Sequence, residues 1–226
     1  MRSDVLEITS VADAVYRHLG QLVVRELAPG QPLKLHEIAV ALGVSTTPVR
    51  LALERLAADG LVTQAGRKGA SVAPLSLADF ADIYAVRRGL ESTAARLGAP
   101  TLTANQVRRI RTQFQHLTRE VGSSPRGLGA YLDVEWEMHL IVYRAAGHTR
   151  LLNEIEAYRR LAERYFRLAL LKGANLDIDL KNQRMFYEAC ADRDGEVAES
   201  VISRLLEWTV EQVTPLILDP PAGDRE

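Results

Sequence analysis

Apolar residues recur at intervals of three and four along most of the chain, and each such stretch closes on a glycine or a proline. The periodicity predicts helices over residues 10–26, 35–42 and 47–59, stopped by Ala28-Pro29-Gly30, Gly43 and Gly60 in turn. After Gly60 the period shortens. Leu61 to Gln64 alternates weakly, Gly66-Arg67-Lys68-Gly69 reads as a turn, and Ala70-Ser71-Val72 returns as a partner strand. From Ser76 onward no strand signal remains. Helices are predicted from Ser76 or Asp79 to about 97, from Thr103 to 121, and over 128–146, 149–171, 175–192 and 195–214. Gly98-Ala99-Pro100, Gly147, Gly173 and Asp192-Arg193-Asp194-Gly195 separate them, and Pro215 with Pro220-Pro221 is expected to end the ordered part.

The expected fold is therefore mainly α. Residues 1–75 hold three short helices and a β-hairpin, the layout of a winged helix-turn-helix, and residues 76–226 hold an all-α bundle of about six helices. A length of 226 residues with 47% hydrophobic composition supports two cored domains. No run of eighteen apolar residues occurs, and the start MRSDVLEITS has neither a basic nor an apolar leader region, so a cytoplasmic protein without membrane association is expected. The single cysteine, Cys190, excludes an intrachain disulfide framework and sits in an apolar helical pattern that reads as core. Net charge is −1, so any nucleic-acid affinity has to come from local charge. Residues 1–75 carry eight Lys/Arg against seven Asp/Glu, a slight excess in that direction.

The segment Leu42 to Gln64, LGVSTTPVRLALERLAADGLVTQ, divides polar from apolar positions along one helix. Ser45 is placed to cap it, Thr46 and Thr47 offer hydroxyls, and Arg50 offers a forked donor in the first turn or so, while Val49, Leu53 and Leu56 carry the inward spacing. A DNA-recognition helix requires this division, with its N-terminal residues at base edges and phosphates and its rear face on its own domain. The turn Gly66-Arg67-Lys68-Gly69 adds two positive charges at a backbone able to approach a duplex. Each piece has a plainer reading as a helix cap or a solvated hairpin tip; their order and spacing favour the duplex. The stretch PGQPLKLHEIAVALGVSTTPVRLALERLAADGLVTQAGRKGASVAPLS resembles the DNA-binding domain of the GntR family of bacterial transcription regulators, over about residues 10 to 76. Arg50 and Gly69 match that family's pattern. Where its members usually carry basic residues this chain has His36 and Thr46, so the operator need not follow the family's commonest half-site. The resemblance implies double-stranded operator DNA as partner, with contacts from His36, Ser45, Thr46, Thr47, Arg50, Arg67, Lys68 and Gly69.

In the helix predicted over 128–146, Leu132, Glu135, Trp136, His139, Leu140 and Tyr143 share one stripe, which turns a carboxylate and an imidazole toward the core. They either bond each other at i, i+4 or serve a ligand pocket. Tyr84, Arg87 and Glu91 share a face in the same way, and Arg87 either grips an effector carboxylate or pairs with Glu91. Arg164 reads as a solvated helix position. The stretches ADIYAVRRGLESTAARLGA (81–99) and VEWEMHLIVYRAAGHTRLL (134–152) resemble the FCD effector domain of one GntR branch. That resemblance implies a homodimeric repressor that binds a small metabolite, often an organic acid, and then releases DNA. It also turns Arg87 inward. Many such domains hold a divalent metal, and the four positions fall here on Glu135, His139, Gln183 and about Leu205; leucine cannot coordinate and a glutamine amide is a poor substitute for imidazole. The expectation is no cofactor, with Glu135 and His139 the ligands if a metal is held, and an effector pocket of Tyr84, Arg87, Glu135, His139 and Gln183. No phosphate loop, nucleophile elbow, HExxH or paired-cysteine motif is present, so an enzyme is not expected. The competing classes are an enzyme using Glu135 and His139 as acid and base, and a regulator scaffold that has lost DNA binding.

Overall fold

A computed structural model describes residues 10–64, 70–120, 127–171 and 176–218. The chain divides into two compact units, residues 1–75 and 76–226. In the first, α1 (Val11–Arg25) and α2 (Leu35–Leu42) pack on α3 (Thr46–Ala58). Ser10 starts α1 with a capping box: its hydroxyl accepts from the Asp13 N–H while the Asp13 carboxylate accepts from the Ser10 N–H. Val15, Leu19 and Val23 of α1 and Val49, Leu53 and Leu56 of α3 are all buried, as the inward spacing of α3 predicted. Gly43 closes α2 in the left-handed conformation, φ 65°, which a side chain would resist, and so turns the chain into α3.

The sheet differs from the expected hairpin. It has three antiparallel strands in the order β1 (Pro32–Leu33), β3 (Ala70–Val72), β2 (Val62–Gln64), with Leu33 opposite Ala70 and Val62 opposite Val72. Two residues are too few to show a period of two, so β1 leaves no alternation to read.

The second unit is built around α4 (Leu77–Gly98), which packs against α6 (Gly127–Ala145), α7 (Thr149–Leu171) and α9 (Gly195–Leu218). A 3-10 turn over Ala99–Thr101 follows α4; α5 (Ala104–Glu120) packs on α6 and α8 (Leu176–Asp192), and α8 on α9. Two glycines set the helix spacing. A Cβ on Gly98 would run into the Val142 carbonyl of α6, and one on Gly195 into the Arg96 carbonyl of α4. Pro215 does not end the last helix, which continues to Leu218. A proline in the final turn removes one backbone donor, and the half-buried Leu216 and Ile217 beyond it retain packing. No helix among the described residues is long and apolar enough to cross a membrane.

Candidate functional sites

On α3, Thr47 and Arg50 are exposed and Thr46 is half-exposed, while Ser45 is exposed at the N-cap. Ser45 holds that position by backbone alone, because its side chain makes no capping bond; the cap expected from the sequence is corrected to a free hydroxyl. The side chain of Arg50 makes no hydrogen bond or ion pair among the described residues. Arg55, one turn further on, is committed: it pairs with Asp13 of α1 and lies 4.1 Å over the Tyr16 ring. The two arginines of one helix are thus separated into a free donor near its N-terminus and a structural one near its C-terminus. His36 is exposed on α2. Arg67, Lys68 and Gly69 lie outside the described residues.

The second site is a buried cluster of polar side chains on α4, α6, α7 and α8, closed by α9. Arg87 donates through Nε to Glu91 Oε1 at 2.6 Å, and Tyr143 donates to Glu91 Oε2 at 3.0 Å. Arg159 of α7 donates through Nη2 to Glu135 Oε2 at 2.6 Å. His139 Nε2 lies 2.8 Å from Gln183 Oε1, so that nitrogen carries the hydrogen; its Nδ1 stands 3.6 Å from Glu135 Oε1 and 3.5 Å from the Tyr143 hydroxyl. Gln183 in turn bonds Asp179, which the Tyr131 hydroxyl also meets. All five residues expected to form an effector pocket, Tyr84, Arg87, Glu135, His139 and Gln183, line one cavity of about 20 Å³ together with Arg159, Asp179 and Thr209. That volume admits about one water molecule.

Three sequence readings change here. The i, i+4 contact between Glu135 and His139 is loose, and the close partner of Glu135 is Arg159, which periodicity did not single out because its position on α7 gives no hint of the carboxylate facing it from α6. Arg164 is buried at 7% exposure rather than solvated, and burial lowers its pKa. Arg87 takes the pairing alternative, bonded to Glu91, and it also lines the cavity.

Charge in the cluster is arranged in compensated pairs. Burial acts to raise the Glu135 carboxyl, but Arg159, with His139 and Arg87, outweighs it and holds that carboxyl below the ordinary range. Burial likewise opposes the charge on Arg87, and Glu91 with its neighbours overcomes this, so its pKa is raised. Asp179 has no such cation among the described residues; burial pushes it up to about 7 despite the hydrogen bond from Gln183. Burial also raises Tyr84 and, well above its ordinary value, Tyr143. Some donors remain unmet. The Tyr84 hydroxyl and Arg159 Nε are buried without a hydrogen-bond partner among the described residues, and Arg87 uses only its Nε. A cavity lined by unmet donors suits a ligand rich in acceptors.

The same residues do not fit a divalent metal. Glu135 already faces the Arg159 cation, the Gln183 amide oxygen is taken by His139, and Leu205 presents only carbon to the cavity. Among the described residues, no group of three or more His, Cys, Asp or Glu could hold a metal ion.

Comparison with known proteins gives two family matches: bacterial regulatory proteins of the gntR family over residues 11–72, and the FCD domain over residues 82–207. The chain is 24% identical over 204 residues to the HTH-type transcriptional repressor RspR of Escherichia coli (strain K12), covering 90% of this chain and 89% of that protein. Among solved structures, Escherichia coli McbR/YncC superposes with a TM-score of 0.79 at 21% identity over 91% of this chain and 98% of its own, a likeness of fold. A GntR-family transcriptional regulator of Pseudomonas syringae pv. tomato str. DC3000 gives 0.55 at 27% identity over 92% of this chain and 86% of its own.

Proposed function

The chain belongs to the GntR family of bacterial transcriptional regulators, with an FCD domain following the helix-turn-helix, and we propose that it is a homodimeric repressor released from its operator by a small carboxylate. The observation that carries the effector half is the buried cavity with its unmet donors. Arg87 offers its terminal fork, Tyr84 its hydroxyl and Arg159 its Nε to a ligand that accepts and does not donate. In this reading residues 76–226 form the effector-binding and dimerisation domain, and residues 1–75 the DNA-binding domain.

On the DNA side, Arg50 supplies the charge-assisted base or phosphate contact, Thr46 and Thr47 supply hydroxyls, and Ser45 and His36 complete the face, with Arg67, Lys68 and Gly69 at the wing. A two-fold dimer reading a palindrome follows from a module that covers one half-site. The pocket works without a metal, because Arg159 supplies the positive charge beside Glu135 and the donor set is not that of a metal centre. Repression takes support from the similarity to RspR, a transcriptional repressor. An effector larger than the cavity of about 20 Å³ enters only by displacing the side chains that line it, which gives binding a means to alter the packing between the helices that carry them.

The test is a thermal-shift screen of small carboxylates, sugar acids, amino acids and acyl-coenzyme A compounds, followed by operator gel shifts with each hit. A carboxylate that raises the melting temperature and weakens operator binding is the expected outcome. Amino acids should perform worse than hydroxy or keto acids of the same size, since an ammonium group brings donors to a site already supplied with them. Failure of every carboxylate to stabilise the protein, or stabilisation with unchanged operator affinity, would overturn the effector assignment.

A further inference from the structure

Tyr84 is 4% exposed, lines the cavity, and holds a hydroxyl with no partner among the described residues. Its ring does not stop at the cavity wall. It packs on Phe80 one turn earlier on α4, ring centroids 4.5 Å apart, and Phe80 packs on Tyr165 of α7 with centroids 5.0 Å apart. Phe80 and Tyr165 are both fully buried. The Tyr165 hydroxyl then reaches the first turn of α4: it donates to Asp79 Oδ2 at 2.8 Å and accepts from the backbone N–H of Ser76 at 3.2 Å. Ser76 is the first residue of the second unit and the N-cap of α4, next in the chain to Leu75, the last residue of the first unit.

From this geometry we infer that Tyr84, Phe80 and Tyr165 form a relay that carries the state of the effector cavity to the point where the chain leaves for the DNA-binding unit. The inference rests on the effector-pocket reading above and adds how that pocket is heard. A ligand larger than one water has to displace side chains that line the cavity, and Tyr84, whose hydroxyl it engages, is one of them. Phe80 fills the space behind that ring, and close-packed aromatic side chains pass a displacement on rather than absorbing it. Tyr165 has attachments that differ in kind, a ring against Phe80 and 5.7 Å below the Arg164 guanidinium, and a hydroxyl on the N-terminus of α4. Tilting the ring stretches the bonds to Ser76 and Asp79, and the latch is either made or released. Tyr165 is thus a positioning residue that touches no ligand. Phe166, its neighbour on α7, lines the cavity, so the helix carrying the latch is also in contact with the site.

The test needs no knowledge of the effector. Full-length protein is compared with Tyr165→Phe, which keeps the ring and removes the hydroxyl, and with Tyr84→Leu, which keeps bulk and removes the aromatic contact. Thr101→Val serves as control, because it removes a hydroxyl bonded to Gly98 O and Ala145 O at the opposite end of α4. Hydrogen exchange followed by mass spectrometry reads the peptide spanning residues 76–84. Protection there should fall about three- to tenfold in Tyr165→Phe, the fold-change expected for one net hydrogen bond, and by a similar factor in Tyr84→Leu, whose substitution lies a full turn beyond Phe80. Thr101→Val should leave it unchanged. Operator affinity, measured by fluorescence anisotropy, should shift in both relay variants by no more than the same factor and not in the control.

Unchanged protection at residues 76–80 in Tyr165→Phe would overturn the latch. An equal loss in Thr101→Val would reduce it to general loosening of α4, and altered protection with operator affinity unmoved would remove the link to DNA. Should Tyr84→Leu fail to fold, the Tyr165→Phe arm decides alone. These outcomes are separate from the ligand screen: a carboxylate can bind while the relay fails, and the relay can respond to mutation while no carboxylate binds.

Discussion

Asp179→Asn tests whether the cavity holds a neutral carboxyl at one side of its charge-paired centre. Asp179 is 2% exposed, bonded by Tyr131 and Gln183, and raised by burial to about 7 from an ordinary value near 3.9. The folded protein therefore holds the proton over the window from about pH 4 to about pH 7, where the unfolded chain has released it. The sign follows. Stability contributed by the protonated group is complete below about pH 4 and is lost as pH rises to about 7, after which the wild type bears the full cost of a buried, unpaired anion. Three pKa units at about 1.4 kcal/mol each set that cost at about 4 kcal/mol, an upper figure because relaxation around the carboxylate reduces it. Asparagine has the same shape and cannot ionise. Replacing one oxygen by an amide nitrogen also turns a donor toward a donor, but that penalty is the same at every pH. The quantity to read is therefore the difference in melting temperature between variant and wild type at pH 5 and at pH 8. It should move in favour of the variant by roughly 2–3 kcal/mol, or about 5–10 °C for a unit of this size. A difference equal at the two pH values would show that folded Asp179 is already ionised at pH 5, as in the unfolded chain, and the reasoning would fail.

Arg50→Ala should weaken operator binding by about 1–3 kcal/mol while leaving the melting temperature unchanged, since the side chain is exposed and unpaired among the described residues; anisotropy titration and a thermal scan check both halves. Arg159→Met strands the Glu135 carboxylate in the interior and should destabilise the protein by about 3–5 kcal/mol, whereas the double variant Arg159→Met with Glu135→Leu should recover most of the loss, as measured by urea unfolding. Gly98→Ala drives a methyl into the Val142 carbonyl and should cost about 1–3 kcal/mol despite alanine's better helix propensity; a variant more stable than wild type would mean that α4 and α6 separate freely there.

The helices were legible in the sequence because their burial has a period that the sequence shares. Val49, Leu53 and Leu56 pointed inward and are buried, and the stripe through Leu132, Glu135, His139 and Tyr143 pointed to a polar interior face of α6, which the structure has. Tyr84, Arg87, Glu135, His139 and Gln183 were named from three separate helices, by periodicity and by the family resemblance, and line one cavity. What the sequence withheld is of another kind. A strand of two residues, Pro32–Leu33, has no period, and a free hydroxyl at Ser45 is indistinguishable in sequence from a bonded cap.

Arg159 and Arg164 show where periodicity stops. On one amphipathic helix an arginine is assigned to solvent by its charge, yet whether it is buried depends on what a neighbouring helix offers, and that neighbour is far off in the chain. Arg159 meets Glu135 from α6, 24 residues earlier, and Tyr165 meets Ser76, 89 residues earlier. Pairings of this sort decide the charge of the cavity and the attachment of α4, so the response proposed for this regulator depends on contacts between helices. The faces of single helices located the cavity; the crossings between them set which side chains are paired within it and how α4 is attached. That division predicts where variation matters most. Substitutions that keep each helix amphipathic but break one inter-helix pair, such as Tyr165→Phe, should leave the fold intact and alter the response, while substitutions in the apolar stripes should lower stability and response together.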